Sequence, residues 1–336
     1  NLVELFLKRA DEKGDAPFLG HKAGGQWVTQ SWRSAAEQVC LLAESLRRMG
    51  LEDGDRVALV SENRPEWCIA DLGIMAAGLI SVPTYITNTE RDHLHILDNS
   101  GARAAIVSTE KLSVPLLGAI MRSGGCEHII AIDGILVEGD AVAARSAVEA
   151  RLAGIGRDAT ACLIYTSGTG GAPRGVMQHH GAILCNAAGA AEILINDFGV
   201  EPNERFLSFL PLSHAYEHTG GQYLPISVGA QIFYAEGLEK LASNIEETKP
   251  TFMVVVPRLF EVLRTRIMKQ VEKQGRLANA LMDTALAVGE RRAAGRHRIG
   301  DGLRDLAVDR LLRPKIRQRF GGRIKAMVSG GAPLNP

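Results

Sequence analysis

Aromatic side chains are scarce in this chain of 336 residues, at 5%, too few for a surface that stacks successive bases. An excess of either charge is missing too. Lys and Arg number 38, as do Asp and Glu, so no global field draws the molecule to nucleic acid. No CxxC pair occurs among the five cysteines, Cys40, Cys68, Cys126, Cys162 and Cys185. An odd, dispersed set predicts reduced, buried thiols in a cytoplasmic protein. No cysteine or histidine cluster has the spacing of a zinc site. Long apolar runs are absent as well. The longest, Leu72 to Ile86, contains Gly78, Ser81 and Pro83 and reads as a buried helix followed by a strand. The opening NLVELFLKRADEKGD is interrupted by Glu4 and shows no signal-peptide pattern.

What is present is a substantial core: 46% of residues are hydrophobic, and the length favours two lobes. From about residue 55 short β-rich runs alternate with amphipathic stretches. Strands are expected at 56–61, 79–85, 102–108, 128–133 and 161–167, with helices near 66–78, 89–99, 110–123 and 140–153. Gly50 closes the helix before the first of these strands, and Pro65 opens the helix after it. A second series has strands at 205–210, 230–236, 251–257 and 324–330, with helices near 220–228, 238–247 and 258–272 and a helical region to about 320. Strands separated by helices imply parallel βαβ units with right-handed crossovers. The fold class is therefore α/β.

Directly after the strand ACLIY comes TSGTGGAPRGV, residues 166–176, with four glycines, two threonines and a serine. Such a turn frees backbone N–H groups to face an anion, and ligands in α/β folds gather at the carboxyl ends of strands. Thr166, Ser167 and Thr169 add hydroxyls and Arg174 a fixed positive charge, a set suited to polyphosphate. Two nucleotide fingerprints fail on spacing. Gly170 to Gly175 has the Walker gap but is followed by Val176 and Met177, where lysine and a hydroxyl are needed. Gly168-Thr169-Gly170 is followed by Gly171, Ala172 and Pro173, so the third glycine of a dinucleotide turn is missing.

The stretch YTSGTGGAPRGV resembles the phosphate loop of AMP-forming acyl-CoA synthetases in the adenylate-forming superfamily, whose pattern is aromatic-T-S-G-T-T-G-x-P-K-G-V. It departs from that pattern at Gly170, where the family has threonine, and at Arg174, where it has lysine. FLPLSHAYEHTGG (209–221), VVVPRLFEVL (254–263) and KAMVSGGAPLNP (325–336) resemble further ordered segments, with the flavour of the long-chain fatty acyl enzymes. The resemblance implies two stacked βαβ-type subdomains without the C-terminal lid. One is formed by 1–64 with 195–336; the other is 65–194, ending in the loop.

The resemblance also implies a reaction. A fatty acid carboxylate attacks the α-phosphate of ATP, with Mg²⁺ present, and coenzyme A then takes the acyl group. On this reading Thr166, Ser167, Gly168, Thr169, Gly170, Gly171 and Arg174 hold phosphate, Thr166 also serving the metal. His214 lines the acyl-adenylate pocket, and Gly220 and Gly221 either let the acyl chain approach the backbone or serve helix packing. Gly330, Gly331, Ala332 and Pro333 form an adenine shelf. His179 and His180 are expected to be structural residues at a helix start. Family motifs for Mg²⁺, ribose and the catalytic lid lysine lie downstream of the matched residues, so this stretch alone is expected to be inactive. A carrier protein as acyl acceptor, or a non-catalytic nucleotide- or acyl-binding module, are the alternative readings.

Region 291–325 carries twelve Arg or Lys against Asp301, Asp305 and Asp309. It reads as two helices with solvated basic faces, interrupted at Pro314. An anionic membrane surface or acyl-CoA phosphates are the second reading.

Overall fold

The computed structural model describes residues 1–135, 139–166, 172–273, 275–295, 306, 308–310 and 312–333. Packing divides the chain into two compact units, 1–238 and 239–336.

The first unit opens with α1 (Leu2–Lys13), the hairpin β1 (Pro17–Ala23) and β2 (Gln26–Ser31), and α2 (Trp32–Arg48). The alternation that marks the later strands does not extend to this region, because β2 keeps no residue buried. Helix α2 starts where Ser31 Oγ accepts the Ser34 amide and ends before Gly50, whose φ of 85° favours glycine. Phe18 and Trp32 stack at 3.6 Å between ring centroids, with Phe6 against both. All three are buried.

The βαβ series follows: β3 (Arg56–Val60), α3 (Pro65–Ala76), β4 (Ile80–Thr84), α4 (Glu90–Ser100), β5 (Ala102–Val107), α5 (Glu110–Ser123), β6 (His128–Ala131), α6 (Ala141–Leu152) and β7 (Thr160–Thr166). The expected strands and helices between 56 and 166 are all present, and Pro65 is the first residue of α3. Interior strands β3 and β5 bury nearly every side chain, as strands covered on both faces do. Their sheet has the order β6-β5-β3-β4-β7-β8. Its last member, β8 (Arg174–His179), runs antiparallel to β7. The sequence pattern does not predict β8: its side chains are mostly exposed, so it lacks the apolar signal of its neighbours.

After β8 come α7 (His180–Ile193), β9 (Arg205–Ser208), a helical passage of α8 (Ala215–Glu217), a π-helical turn (His218–Tyr223) and α9 (Leu224–Val228), then β10 (Gln231–Tyr234). Within this unit β9, β10, β1 and β2 lie side by side, β10 parallel to both β9 and β1. The helix expected at 220–228 starts earlier, at Ala215, and changes pitch on the way.

The second unit contains α10 (Leu241–Thr248), β11 (Phe252–Val255), α11 (Pro257–Lys273), α12 (Arg276–Ala293), α13 (Arg313–Arg319) and β12 (Ala326–Ser329), with β11 parallel to β12. Pro314 lies in the first turn of α13, where its missing N–H costs nothing; it opens this helix rather than interrupting one. Among the described residues no helix is long and apolar enough to cross a membrane.

Candidate active site

Strand β7 ends at Thr166, and its partner across the hairpin is Arg174, the first residue of β8. Both are exposed. Because β7 runs parallel to β4, this mouth lies at the carboxyl end of the parallel strands, where open α/β sheets receive ligands. Of the phosphate-holding residues expected from the sequence, Thr166 and Arg174 are thus brought face to face. Ser167, Gly168, Thr169, Gly170 and Gly171 lie outside the described residues. Gly175 is required by packing: a Cβ there would come within 2.9 Å of Tyr165 Cζ.

The segment after β9 is fixed by Asn63, which follows β3. Its amide donates to Ser208 Oγ at 3.1 Å and to the Leu210 carbonyl at 2.6 Å, while its Oδ1 accepts the Leu212 amide at 3.1 Å. One side chain therefore ties the carboxyl end of β3 to the backbone leading to His214. His214 is exposed and caps α8, its Nδ1 accepting the Tyr216 amide at 3.2 Å. Among the described residues no hydrogen bond engages its Nε2.

Glu217 is buried, and Ser208 Oγ donates to its Oε1 at 2.6 Å. Burial raises its pKa to about 8, only partly offset by the Ser208 hydroxyl and the Phe209 amide, so the group is an uncharged acid at neutral pH. Gly221 is where this carboxyl packs: a Cβ would lie 2.3 Å from Glu217 Oε1. Gly220 and Gly221 both sit in the π-helical turn, a local widening often found at functional positions.

A second buried group sits one residue on. Asp71 Oδ2 accepts from His218 Nε2 at 2.9 Å, Gln222 Nε2 at 2.8 Å and Tyr223 OH at 2.8 Å. Burial alone would discharge His218, but the Asp71 carboxylate outweighs it and raises the imidazole well above its usual range. Burial likewise works against Asp71, and the His218 charge and hydrogen bond hold its pKa low. Cys162 Sγ lies 4.0 Å from His218 Nδ1, so Cys, His and Asp stand in the order of a nucleophilic triad. All three are fully buried, which denies any substrate access and makes the set structural. Asp71 in the otherwise apolar run WCIADLGIM was the sequence signal for it, since an isolated buried carboxylate needs partners.

His179 and His180 behave as expected of helix-start residues. His179 is the N-cap of α7, and His180, buried, accepts the Leu2 amide on Nδ1 at 3.3 Å. Gly330, Gly331, Ala332 and Pro333 follow β12 in the second unit. The Gly330 amide bonds the Val255 carbonyl at 3.1 Å, and Gly331 has a φ of 77°, which only glycine adopts without strain. Four of the five cysteines are buried as expected; Cys185 is exposed.

Comparison with known proteins adds to this geometry. A family model described as "AMP-binding enzyme" matches residues 6–336. The chain is 31% identical over 350 residues to a long-chain-fatty-acid–CoA ligase, FadD15, of Mycobacterium tuberculosis, covering 99% of this chain and 57% of that protein. It is 28% identical over 342 residues to long chain acyl-CoA synthetase 8 of Arabidopsis thaliana, covering 93% of this chain and 46% of that one. The chain thus spans about half the length of these curated relatives. The inhibitor-bound N-terminal domain of FACL13 from Mycobacterium tuberculosis has the same fold, with a TM-score of 0.72 at 20% identity over 100% of this chain and 71% of that one.

Proposed function

The chain belongs to the AMP-binding enzyme family, and we propose that the complete protein activates a long-chain fatty acid with ATP and passes the acyl group to coenzyme A. The observation that carries this reading is the Thr166–Arg174 pair at the mouth of the β7–β8 hairpin, a hydroxyl and a fixed cation set opposite each other at the carboxyl end of a parallel sheet. There they would hold the β- and γ-phosphates as the carboxylate attacks the α-phosphate.

That step makes little demand for proton transfer. The acid is already ionised at neutral pH, so positioning and charge neutralisation carry the rate. Arg174 neutralises developing charge on pyrophosphate as it leaves. Among the described residues no three His, Cys, Asp or Glu side chains gather to hold a metal. Mg²⁺ on this reading would come with the triphosphate, and the Thr166 hydroxyl would offer it one hard oxygen ligand. His214 presents Nε2 toward the acyl-adenylate as a hydrogen-bond donor, not as a base.

ATP–pyrophosphate exchange with the complete protein, across fatty acids of increasing chain length, tests the proposal. Exchange that peaks with long chains and falls at least about tenfold in Arg174→Ala, one lost charged contact, is the expected result. Absence of exchange with any acid would overturn it. Exchange without thioester formation would point to a carrier-protein acceptor instead of coenzyme A.

A further inference from the structure

Two side chains one turn apart on α4 reach the two sides of the β7–β8 hairpin. His95 Nε2 lies 2.7 Å from the Pro173 carbonyl, and since a carbonyl only accepts, the ring nitrogen donates. Asn99 Oδ1 accepts from Tyr165 OH at 2.8 Å. Tyr165 and Pro173 are the residues immediately before Thr166 and Arg174. The rings of His95 and Tyr165 also meet edge to face, 6.3 Å between centroids, and Tyr165 packs with Ile96 of α4 and Val82 of β4.

The platform is stiff. Helix α4 begins in a capping box, Thr89 accepting the Asp92 amide and Asp92 accepting the Thr89 amide. It ends on Gly101 in the left-handed conformation. Arg122 of α5 pairs with Glu90 at 3.0 Å. By contrast β8 is an edge strand with exposed side chains, and such strands open locally at little cost. The β7–β8 ladder pairs Thr166 with Arg174 at its open end, and the two α4 contacts support that last pair from outside the ladder.

We infer that His95 and Asn99 are positioning residues for nucleotide binding: together they brace the hairpin mouth from α4 and hold Thr166 and Arg174 at the spacing that phosphate requires. The inference rests on the reading that this hairpin binds ATP. The two contacts divide the task. Asn99 sets the end of β7 through the phenol of Tyr165, and His95 sets the start of β8 through a backbone carbonyl, which no substitution at residue 173 can remove.

The test uses the complete protein and a fluorescent ATP analogue, whose binding is read without turnover, alongside ATP–pyrophosphate exchange. Asn99→Ala, and His95→Phe, which keeps the ring contact with Tyr165 but has no donor, are each expected to weaken analogue binding and raise the KM for ATP about tenfold, as displaced binding groups do. The KM for fatty acid stays within about twofold in both, a split that general loosening of the fold would not produce. His95→Gln, whose amide can donate to the Pro173 carbonyl, is expected to restore most of the loss. Arg174→Ala run in parallel separates the two levels. Loss of binding in Arg174→Ala with none in His95→Phe or Asn99→Ala overturns the brace. No loss in any of the three overturns the assignment of the hairpin to ATP, and the brace with it. Equal rises in both KM values also overturn the positioning role.

Discussion

Asp71 and His218 meet at 2.9 Å with neither side chain exposed to solvent, and the same carboxylate oxygen accepts Gln222 and Tyr223. Helix α3 is thereby bonded to the π-helical turn that follows α8. The wider turn brings three consecutive-face donors, at positions 218, 222 and 223, onto one acceptor. Glu217, adjacent in sequence, points into Ser208 instead. Neighbouring residues thus hold inverted protonation states: an uncharged acid at 217 and a charged imidazole at 218.

Removing one partner of that pair should be costly. Asp71→Ala leaves a buried cation and two buried donors unmatched, and is expected to destabilise the fold by about 3–5 kcal/mol. The midpoint of urea denaturation measures it. A loss below about 1 kcal/mol would mean that the pair does not tie α3 to the π-helical turn.

Glu217 predicts a pH dependence of definite sign. Burial holds its folded pKa at about 8, above the ordinary carboxyl value of 4.5, so its contribution to stability is present in full below 4.5 and lost as pH rises to 8. His218, raised above 6.5, adds a decline in the same direction from that pH upward. Glu217→Gln should remove this contribution between pH 4.5 and 6.5, where His218 does not yet act and buried His180, held down to about 4, pulls stability the other way. Denaturation midpoints at pH 5, 6 and 7.5 for the two proteins provide the comparison; parallel curves would refute the assignment.

Gly221 is expected to tolerate no side chain while Glu217 is in place. Gly221→Ala brings Cβ to 2.3 Å from Glu217 Oε1 and should cost about 1–3 kcal/mol through overpacking. In a Glu217→Ala background the cost should shrink, and a double-mutant cycle reads the coupling. An additive pair would show that the glycine is needed for another reason.

Thiol chemistry offers a rapid check on the packing. Cys185 alone among the five cysteines is exposed, while burial raises the Cys40 thiol to about 12 and lifts Cys68 further. A thiol reagent should modify one cysteine in the native protein and five after denaturation. Loss of the fast reaction in Cys185→Ser identifies the site.

Much of the β3–β7 series was legible because its strands are continuous apolar runs set between helices with clear caps. Strands β2 and β8 were not, because an edge strand with exposed side chains carries no such run, and β1 buries only the short stretch Phe18–Gly20. The turn at 166–176 stood out by its crowded glycines and hydroxyls, and its two ends, Thr166 and Arg174, are partners across the β7–β8 hairpin. His95 and Asn99 could not. Their partners are a carbonyl and a phenol 78 and 66 residues away, and polar side chains on a helix face resemble solvated ones until the contact is seen. Glu217 and His218 were hidden for a similar reason: in HAYEHTGG both look like surface residues, and only burial against Ser208 and Asp71 gives them their states.

The inverted pair at 217 and 218 has a thermodynamic consequence outside the site itself. Near pH 7.5 the folded chain retains most of a proton on each of these residues, which an unfolded chain gives up to the solvent. Unfolding is therefore a proton-releasing reaction. Its calorimetric enthalpy should depend on the buffer, by up to two protons' worth of ionisation heat between one of low and one of high ionisation enthalpy, and a weakly buffered solution should turn more acid as the protein melts.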